Sequence, residues 1–134
     1  MRNLEKYKGV IPAFYACYDK EGNISPEGVQ GLTKYFVKKG VKGVYVNGSS
    51  GECIYQSVED RKIVLENVMK VAEGKLTVIA HVACNNTKDS QELARHAEGL
   101  GVDAIAAIPP IYFHLPEYAI EQYWNCLLYT SPSP

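Results

Sequence analysis

The sequence predicts an α/β protein built on a parallel sheet, and three observations carry that prediction. Short apolar runs alternate with amphipathic helical runs along the whole chain. The passage from helix stop into strand at Lys39-Gly40-Val41-Lys42-Gly43-Val44-Tyr45-Val46 is echoed, step for step, at Leu100-Gly101-Val102-Asp103-Ala104-Ile105-Ala106-Ala107. The run Gly43 to Val46 ends abruptly in Asn47-Gly48-Ser49-Ser50-Gly51-Glu52, a loop of glycines around two adjacent hydroxyls. Repeated βα units of this kind imply right-handed crossovers between parallel strands. A barrel and an open doubly wound sheet both satisfy the pattern.

The elements follow in order. Val10 to Ala16 reads as a first strand, and Pro12 within it suits a strand end or an edge. After the polar turn Asp19 to Asn23, Ser25 caps a helix with Pro26 at its first position. Val29, Leu32 and Phe36 form its inward stripe, and Gly40 ends it. Gly43 to Asn47 is the second strand. Ser57-Val58-Glu59-Asp60 has the form of a capping box, opening a helix with Val64, Val68, Val71 and Ala72 on one face and Gly74 beyond its end. Leu76 to Ala80 is a continuous apolar third strand, as expected of one covered on both faces. Thr87 is read as the cap of a third helix carrying Leu93, Ala97 and Leu100. Val102 to Ile108 is the fourth strand, and Pro116 opens a fourth helix with Ala119, Ile120 and Tyr123.

In α/β proteins ligands meet the chain at the carboxyl ends of the strands, which places chemistry at the loop after Val46. Gly48 and Gly51 let the backbone approach a ligand closely and tolerate positive φ. Ser49 and Ser50 offer hydroxyl donors beside backbone N–H groups, a cradle suited to a small carboxylate. A plain βα turn of small residues is the alternative for a lone Gly-Ser-Ser-Gly.

Composition narrows the classes. With 134 residues the chain has the length of one ordinary domain. A net charge of −1 gives no electrostatic reason to expect nucleic acid or an anionic membrane as a partner. No apolar run has the length of a membrane span, and Met1 to Lys6 lacks the apolar core of a signal peptide, so a cytoplasmic location is expected. Cys17, Cys53, Cys84 and Cys126 show no C-x-x-C spacing, which argues against zinc or a redox dithiol. At least the first three read as buried free thiols.

Several segments together carry a resemblance. Gly48-Ser49-Ser50-Gly51-Glu52, Gln56-Ser57 with the helix after it, Ile79-Ala80-His81-Val82-Ala83-Cys84 and Pro109-Pro110-Ile111-Tyr112 closely resemble the N-acetylneuraminate lyases. These are pyruvate-dependent class I aldolases, grouped with 4-hydroxy-tetrahydrodipicolinate synthase, and the likeness runs from about Tyr7 to Trp124. It implies a (β/α)₈ TIM barrel, of which this chain covers about the first four βα units, a half barrel. It also implies cleavage of sialic acid to pyruvate and N-acetylmannosamine through a Lys Schiff base, without metal or organic cofactor. Small-molecule substrates, pyruvate and sialic acid, are the implied partners, and a homotetramer is the implied assembly of the complete enzyme.

Carried over by position, Ser49 and Ser50 match the pair that holds the pyruvate carboxylate, with Gly48 as part of the same binding loop. Serine stands where the family more often has threonine in the second place, and the hydroxyl is kept. Tyr112 matches a tyrosine that assists proton relay or closes the pocket; the alternative is a strand-end aromatic packed under the next helix. Glu52 reads as a local hydrogen-bonding residue, His81 as a satisfied core histidine, His96 as solvent-facing and His114 as a loop residue near the pocket mouth.

Schiff-base chemistry needs an amine of lowered pKa aimed into the pocket. The family places that lysine on the sixth strand and a proton-relaying tyrosine on the fifth, beyond the four units read here. Lys42 and Lys75 precede strands and belong to the opposite rim; Lys88 opens a surface helix. Residues 1–125 therefore read as the N-terminal half of an aldolase domain, and 126–134 as a non-native or disordered tail, in which Ser-Pro-Ser-Pro stops the helix. A barrel domain needs about 250 residues, so four strands alone are expected to aggregate or to pair in two copies. Rival readings are a fragment of 4-hydroxy-tetrahydrodipicolinate synthase or another pyruvate aldolase, and a flavodoxin-like anion-binding domain without catalysis. Helices on one face of the sheet favour the aldolases, helices on both faces the flavodoxin-like domain.

Overall fold

The structure, a computed structural model, describes residues 3–129. Three strands, β1 (Gly43–Val46), β2 (Thr77–His81) and β3 (Ala104–Ala106), form a parallel sheet in the order β1-β2-β3. Val44 pairs with Val78 and Tyr45 with Ile79, and Ile79 in turn pairs with Ala104. Four helices intervene or follow: α1 (Pro26–Lys39), α2 (Val58–Ala72), α3 (Thr87–Gly99) and α4 (Glu117–Leu128).

The expected first strand is present only as a parallel bridge between Ala13 and Tyr45. The Phe14 amide donates to the Tyr45 carbonyl at 2.8 Å, and the Tyr45 amide to Pro12 at 2.9 Å. Extending that ladder toward Gly43 would require an N–H from Pro12, which proline lacks. The Lys42 amide instead reaches the Val10 carbonyl, one residue out of step. The fourth expected strand is likewise shorter than read, Ala104 to Ala106.

The sheet residues alternate between two environments, as period-2 geometry requires. Val44, Val46, Val78 and Ala80 are buried among Val64, Leu65, Val68, Leu93, Ala94 and Ala97 of the helices. Tyr45 and Ile79, a register pair, are only partly covered on the other face. The helices pack consecutively, α1 on α2, α2 on α3 and α3 on α4. The segment at Ala13, β1, β2 and β3 lie side by side in chain order with no reversal, so every right-handed crossover falls on one face. The switch point of a doubly wound sheet is absent from this arrangement, and the flavodoxin-like alternative fails.

Local signals explain the helix ends. Ser25 Oγ accepts from the Gly28 amide, and Gly40 closes α1 at φ 71. Ser57 and Asp60 form the reciprocal capping box on α2. The third helix is capped one residue earlier than read: Asn86 Oδ1 accepts from the Asp89 amide at 2.8 Å, leaving Thr87 as the first helical residue. Helix α4 runs through Leu128, with Leu127 buried, so Cys126 to Leu128 are helical and Tyr129 is the C-cap; the remainder of the expected tail, 130–134, lies outside the described residues. All four cysteines are free, half-buried rather than fully buried.

Candidate active site

The carboxyl ends of β1, β2 and β3 open onto one rim, because the strands are parallel and in register. The rim loop after β1 is two successive 3₁₀ turns, Ser49–Gly51 and Cys53–Tyr55, joined at Glu52. Neither glycine uses the positive φ that it tolerates. Gly48 sits at φ −81, and Gly51 is not among the positive-φ residues; the left-handed conformations fall on Asn47 (φ 61) and Glu52 (φ 57). Gly48 is needed for space: a Cβ there would lie 2.6 Å from Tyr45 Cε1. At Gly51 a Cβ would come within 2.9 Å of the Phe14 carbonyl oxygen.

Ser49 and Ser50 are exposed and Gly48 is buried beneath them. Among the described residues neither serine hydroxyl has a protein partner. The Gly48 carbonyl accepts from the Gly51 amide and the Ser49 carbonyl from the Glu52 amide, which closes the first turn. The Ser49 and Ser50 amides open that turn and have no acceptor inside it. Two hydroxyls and two amides are thus presented together at the rim.

Behind the loop a buried network ties β1 to β2. Asn47 Nδ2 donates to the Arg61 carbonyl at 2.9 Å. His81 Nε2 accepts from the Ile108 amide, so Nδ1 carries the proton and donates to the Asn47 carbonyl at 3.0 Å. Burial, reinforced by the Arg61 guanidinium and opposed by the bond to Asn47, pushes the His81 pKa down. His81 is a neutral core histidine, as read. Arg61, only 2% exposed, donates to the His81 carbonyl at 2.7 Å, to the Ala83 carbonyl at 2.8 Å and to Cys84 Sγ. Burial nevertheless pushes the Cys84 thiol up, outweighing Arg61 and Ser90, so no activated thiolate stands here.

The other candidates separate. Glu52 Oε2 accepts from the Tyr18 hydroxyl at 2.7 Å, a hydrogen-bonding role as read, but with a partner 34 residues away in place of a local one. Tyr112 stands on the segment after β3, at the same rim as the serines. It is 79% exposed and meets Phe113 edge-on at 4.8 Å, so it is not packed under the following helix. No hydrogen bond or ring contact joins Tyr112 to Ser49 or Ser50 among the described residues. A cleft of about 220 Å³ at this rim is lined by Cys53, Gln56, Arg61, His81, Asn85 and Ile111 among others, but not by Ser49, Ser50 or Tyr112; Tyr112 lines a separate cavity of about 590 Å³ with Asn86, Phe113 and Tyr123. His96 is corrected: its Nε2 bonds Glu66 Oε1 at 2.8 Å, joining α3 to α2 instead of facing solvent. His114 is an exposed loop residue. Lys42 and Lys75 line a cleft of about 720 Å³ with Lys6, Thr77 and Asp103 at the opposite rim, and Lys88 is exposed in the first turn of α3.

Sequence reasoning missed Tyr18, Tyr45, Asn47 and Arg61. One signal was available for Arg61: it falls three residues after Val58 and four before Leu65, a charge inside the apolar stripe of α2. Among the described residues no group of three or more His, Cys, Asp or Glu could hold a metal ion, and no helix is long and apolar enough to cross a membrane.

The sequence matches the Dihydrodipicolinate synthetase family over residues 6–133. The chain belongs to that family. Within it, the chain is 94% identical over 133 residues to an N-acetylneuraminate lyase of Mediterraneibacter gnavus, an alignment covering 99% of this chain and 42% of that protein. It is 38% identical over 109 residues to an N-acetylneuraminate lyase of an Enterobacter species, covering 81% and 37%. Among solved structures it superposes on a catalytic-lysine mutant of the Ruminococcus gnavus sialic acid aldolase with a TM-score of 0.97 at 95% identity, covering 98% of this chain and 43% of that one. The N-acetylneuraminate lyase of Mycoplasma synoviae follows at TM-score 0.94 and 33% identity, covering 98% and 46%. The chain therefore spans less than half the length of these relatives. Its three-stranded parallel sheet, flanked by the Ala13 segment and backed by helices on one face, is a part of the family's (β/α)₈ barrel.

Proposed function

We propose that this chain is part of an N-acetylneuraminate lyase, and that its rim loop binds the carboxylate of pyruvate. The observation that carries the reading is the 94% identity to such a lyase across 99% of the chain. Ser49 and Ser50 support it physically, since their hydroxyls and amides lack protein partners at the strand-end rim. Each hydrogen bond to a charged oxygen is of the strong, short class. Gly48, kept small by Tyr45, lets the acid lie close to the backbone.

In the proposed reaction sialic acid is cleaved to pyruvate and N-acetylmannosamine. The amine that attacks the keto carbon is supplied from outside this stretch; one relative is described by a catalytic lysine. Holding the carboxylate fixes the adjacent carbonyl carbon within reach of that amine, which turns a bimolecular encounter into a positioned one. Tyr112, exposed at the same rim, closes the pocket or relays a proton once substrate is present. A cytoplasmic homotetramer is part of the same proposal.

The family also contains dihydrodipicolinate synthase, and one such structure matches at TM-score 0.87 with 28% identity. The test uses the full-length protein with two substrates. Release of pyruvate from sialic acid supports the lyase. Consumption of pyruvate with aspartate semialdehyde, and none of sialic acid, overturns it in favour of the synthase.

A further inference from the structure

We propose that Tyr18 and Glu52 are positioning residues that clasp the serine loop in its binding geometry. The inference rests on the pyruvate-loop reading for what is positioned, and on separate observations for the clasp.

The loop from Gly48 to Gln56 turns twice, and the joint between the turns is Glu52 at φ 57, ψ 33. A non-glycine residue is disfavoured there and persists only where its surroundings hold it. The hold comes from a different stretch of chain. Glu52 Oε2 accepts from the Tyr18 hydroxyl at 2.7 Å, and Gln56 Nε2 donates to that same hydroxyl at 3.3 Å and to the Gly51 carbonyl at 2.8 Å. The three side chains form one directed chain, Gln56 to Tyr18 to Glu52, in which each bond polarises the next.

Tyr18 is itself anchored, because it bridges Ile24, which is buried in the core. The same stretch touches the loop again at Gly51, where the Phe14 carbonyl leaves no room for a Cβ. Phe14 in turn is bonded to Tyr45 of β1. The segment 14–18 therefore fixes both ends of the joint, and Ser49 and Ser50 lie within one turn of it. The Glu52 carboxylate, engaged by a phenol, supports the geometry of the site without being a group that touches substrate.

The test is made in the full-length enzyme. Tyr18→Phe removes one hydroxyl and leaves the ring. Amide hydrogen exchange over residues 48–56 should quicken by about fivefold while the 82–90 loop is unchanged. In the condensation direction the KM for pyruvate should rise by about three- to tenfold, with kcat within about twofold of the parent. Glu52→Gln, whose amide oxygen still accepts from Tyr18, should stay close to wild type. Glu52→Ala should match Tyr18→Phe, and the double variant should add nothing further. Unchanged exchange in Tyr18→Phe, additive effects, or a Glu52→Gln as damaging as Glu52→Ala would each overturn the clasp. So would a raised KM in Ser49→Ala with none in Tyr18→Phe. Faster exchange in Tyr18→Phe with no KM change in Ser49→Ala would uphold the clasp and sink the pyruvate reading instead.

Discussion

The ring of Tyr45 fills the space that a side chain at Gly48 would need, with 2.6 Å between Tyr45 Cε1 and the position of a Cβ. The strand residue facing away from the helices thereby dictates the residue that begins the rim loop. Backbone conformation at Gly48 is ordinary, so the demand is steric alone.

Gly48→Ala is accordingly expected to destabilise the protein by about 1–3 kcal/mol, the cost of overpacking a filled site. Tyr45→Val, which removes the ring, should recover part of that loss when combined with it. Urea unfolding of the two single variants and the double one measures the recovery; strict additivity would show that the ring is not the obstacle.

Ser49→Ala and Ser50→Ala should each raise the KM for pyruvate in the condensation direction. Each removes one hydrogen bond to a charged group, worth about 1.5–3 kcal/mol. Both hydroxyls lack protein partners, so neither change should alter the unfolding midpoint. Steady-state kinetics beside a denaturation curve separates the two effects.

Arg61→Met should destabilise by about 2–5 kcal/mol, since the carbonyls of His81 and Ala83 would lose their donor inside the protein. Arg61→Lys should recover little, because an ammonium cannot reproduce the planar fork that spans both carbonyls. Denaturant midpoints give the answer.

His81 sets a pH dependence of known sign. Its folded pKa lies below the ordinary value of 6.5, through burial first and the Arg61 charge second. The unfolded chain therefore binds a proton that the folded one refuses. The contribution is full above pH 6.5 and declines as pH falls below it, by at most about 1.4 kcal/mol per pH unit. Comparing unfolding between pH 5 and 8 in the parent and in His81→Gln should show a shallower slope in the variant.

Borohydride reduction of this chain with pyruvate should trap no stoichiometric adduct. Lys42 and Lys75 lie at the far rim, and Lys88 is a solvated helix residue. Intact-mass spectrometry decides it, and one pyruvate reduced onto the chain would contradict the assignment.

Much of this architecture could be read from residue pattern. Strands and helices announce themselves through period and caps, and the Ser57 to Asp60 box was legible because its two halves are close in sequence. The exposed place of Ser49 and Ser50 at the strand-end rim was legible for the same reason. The first strand was over-read, because an apolar run does not show that a ladder will ask Pro12 for an N–H it lacks. Gly48 and Gly51 could tolerate positive φ, yet Asn47 and Glu52 carry it, stabilised by bonds to Arg61 and Tyr18 that cross 14 and 34 residues. Such long-range partners leave no local signature. His96 was misplaced likewise, since nothing in its own helix reveals Glu66 across the groove.

The side-by-side strand order has a corollary. Each βα unit donates its own segment to a common rim while its neighbours supply the framework. A change of residues in one rim loop can therefore leave its neighbours in place, since each loop is carried by its own strand and helix.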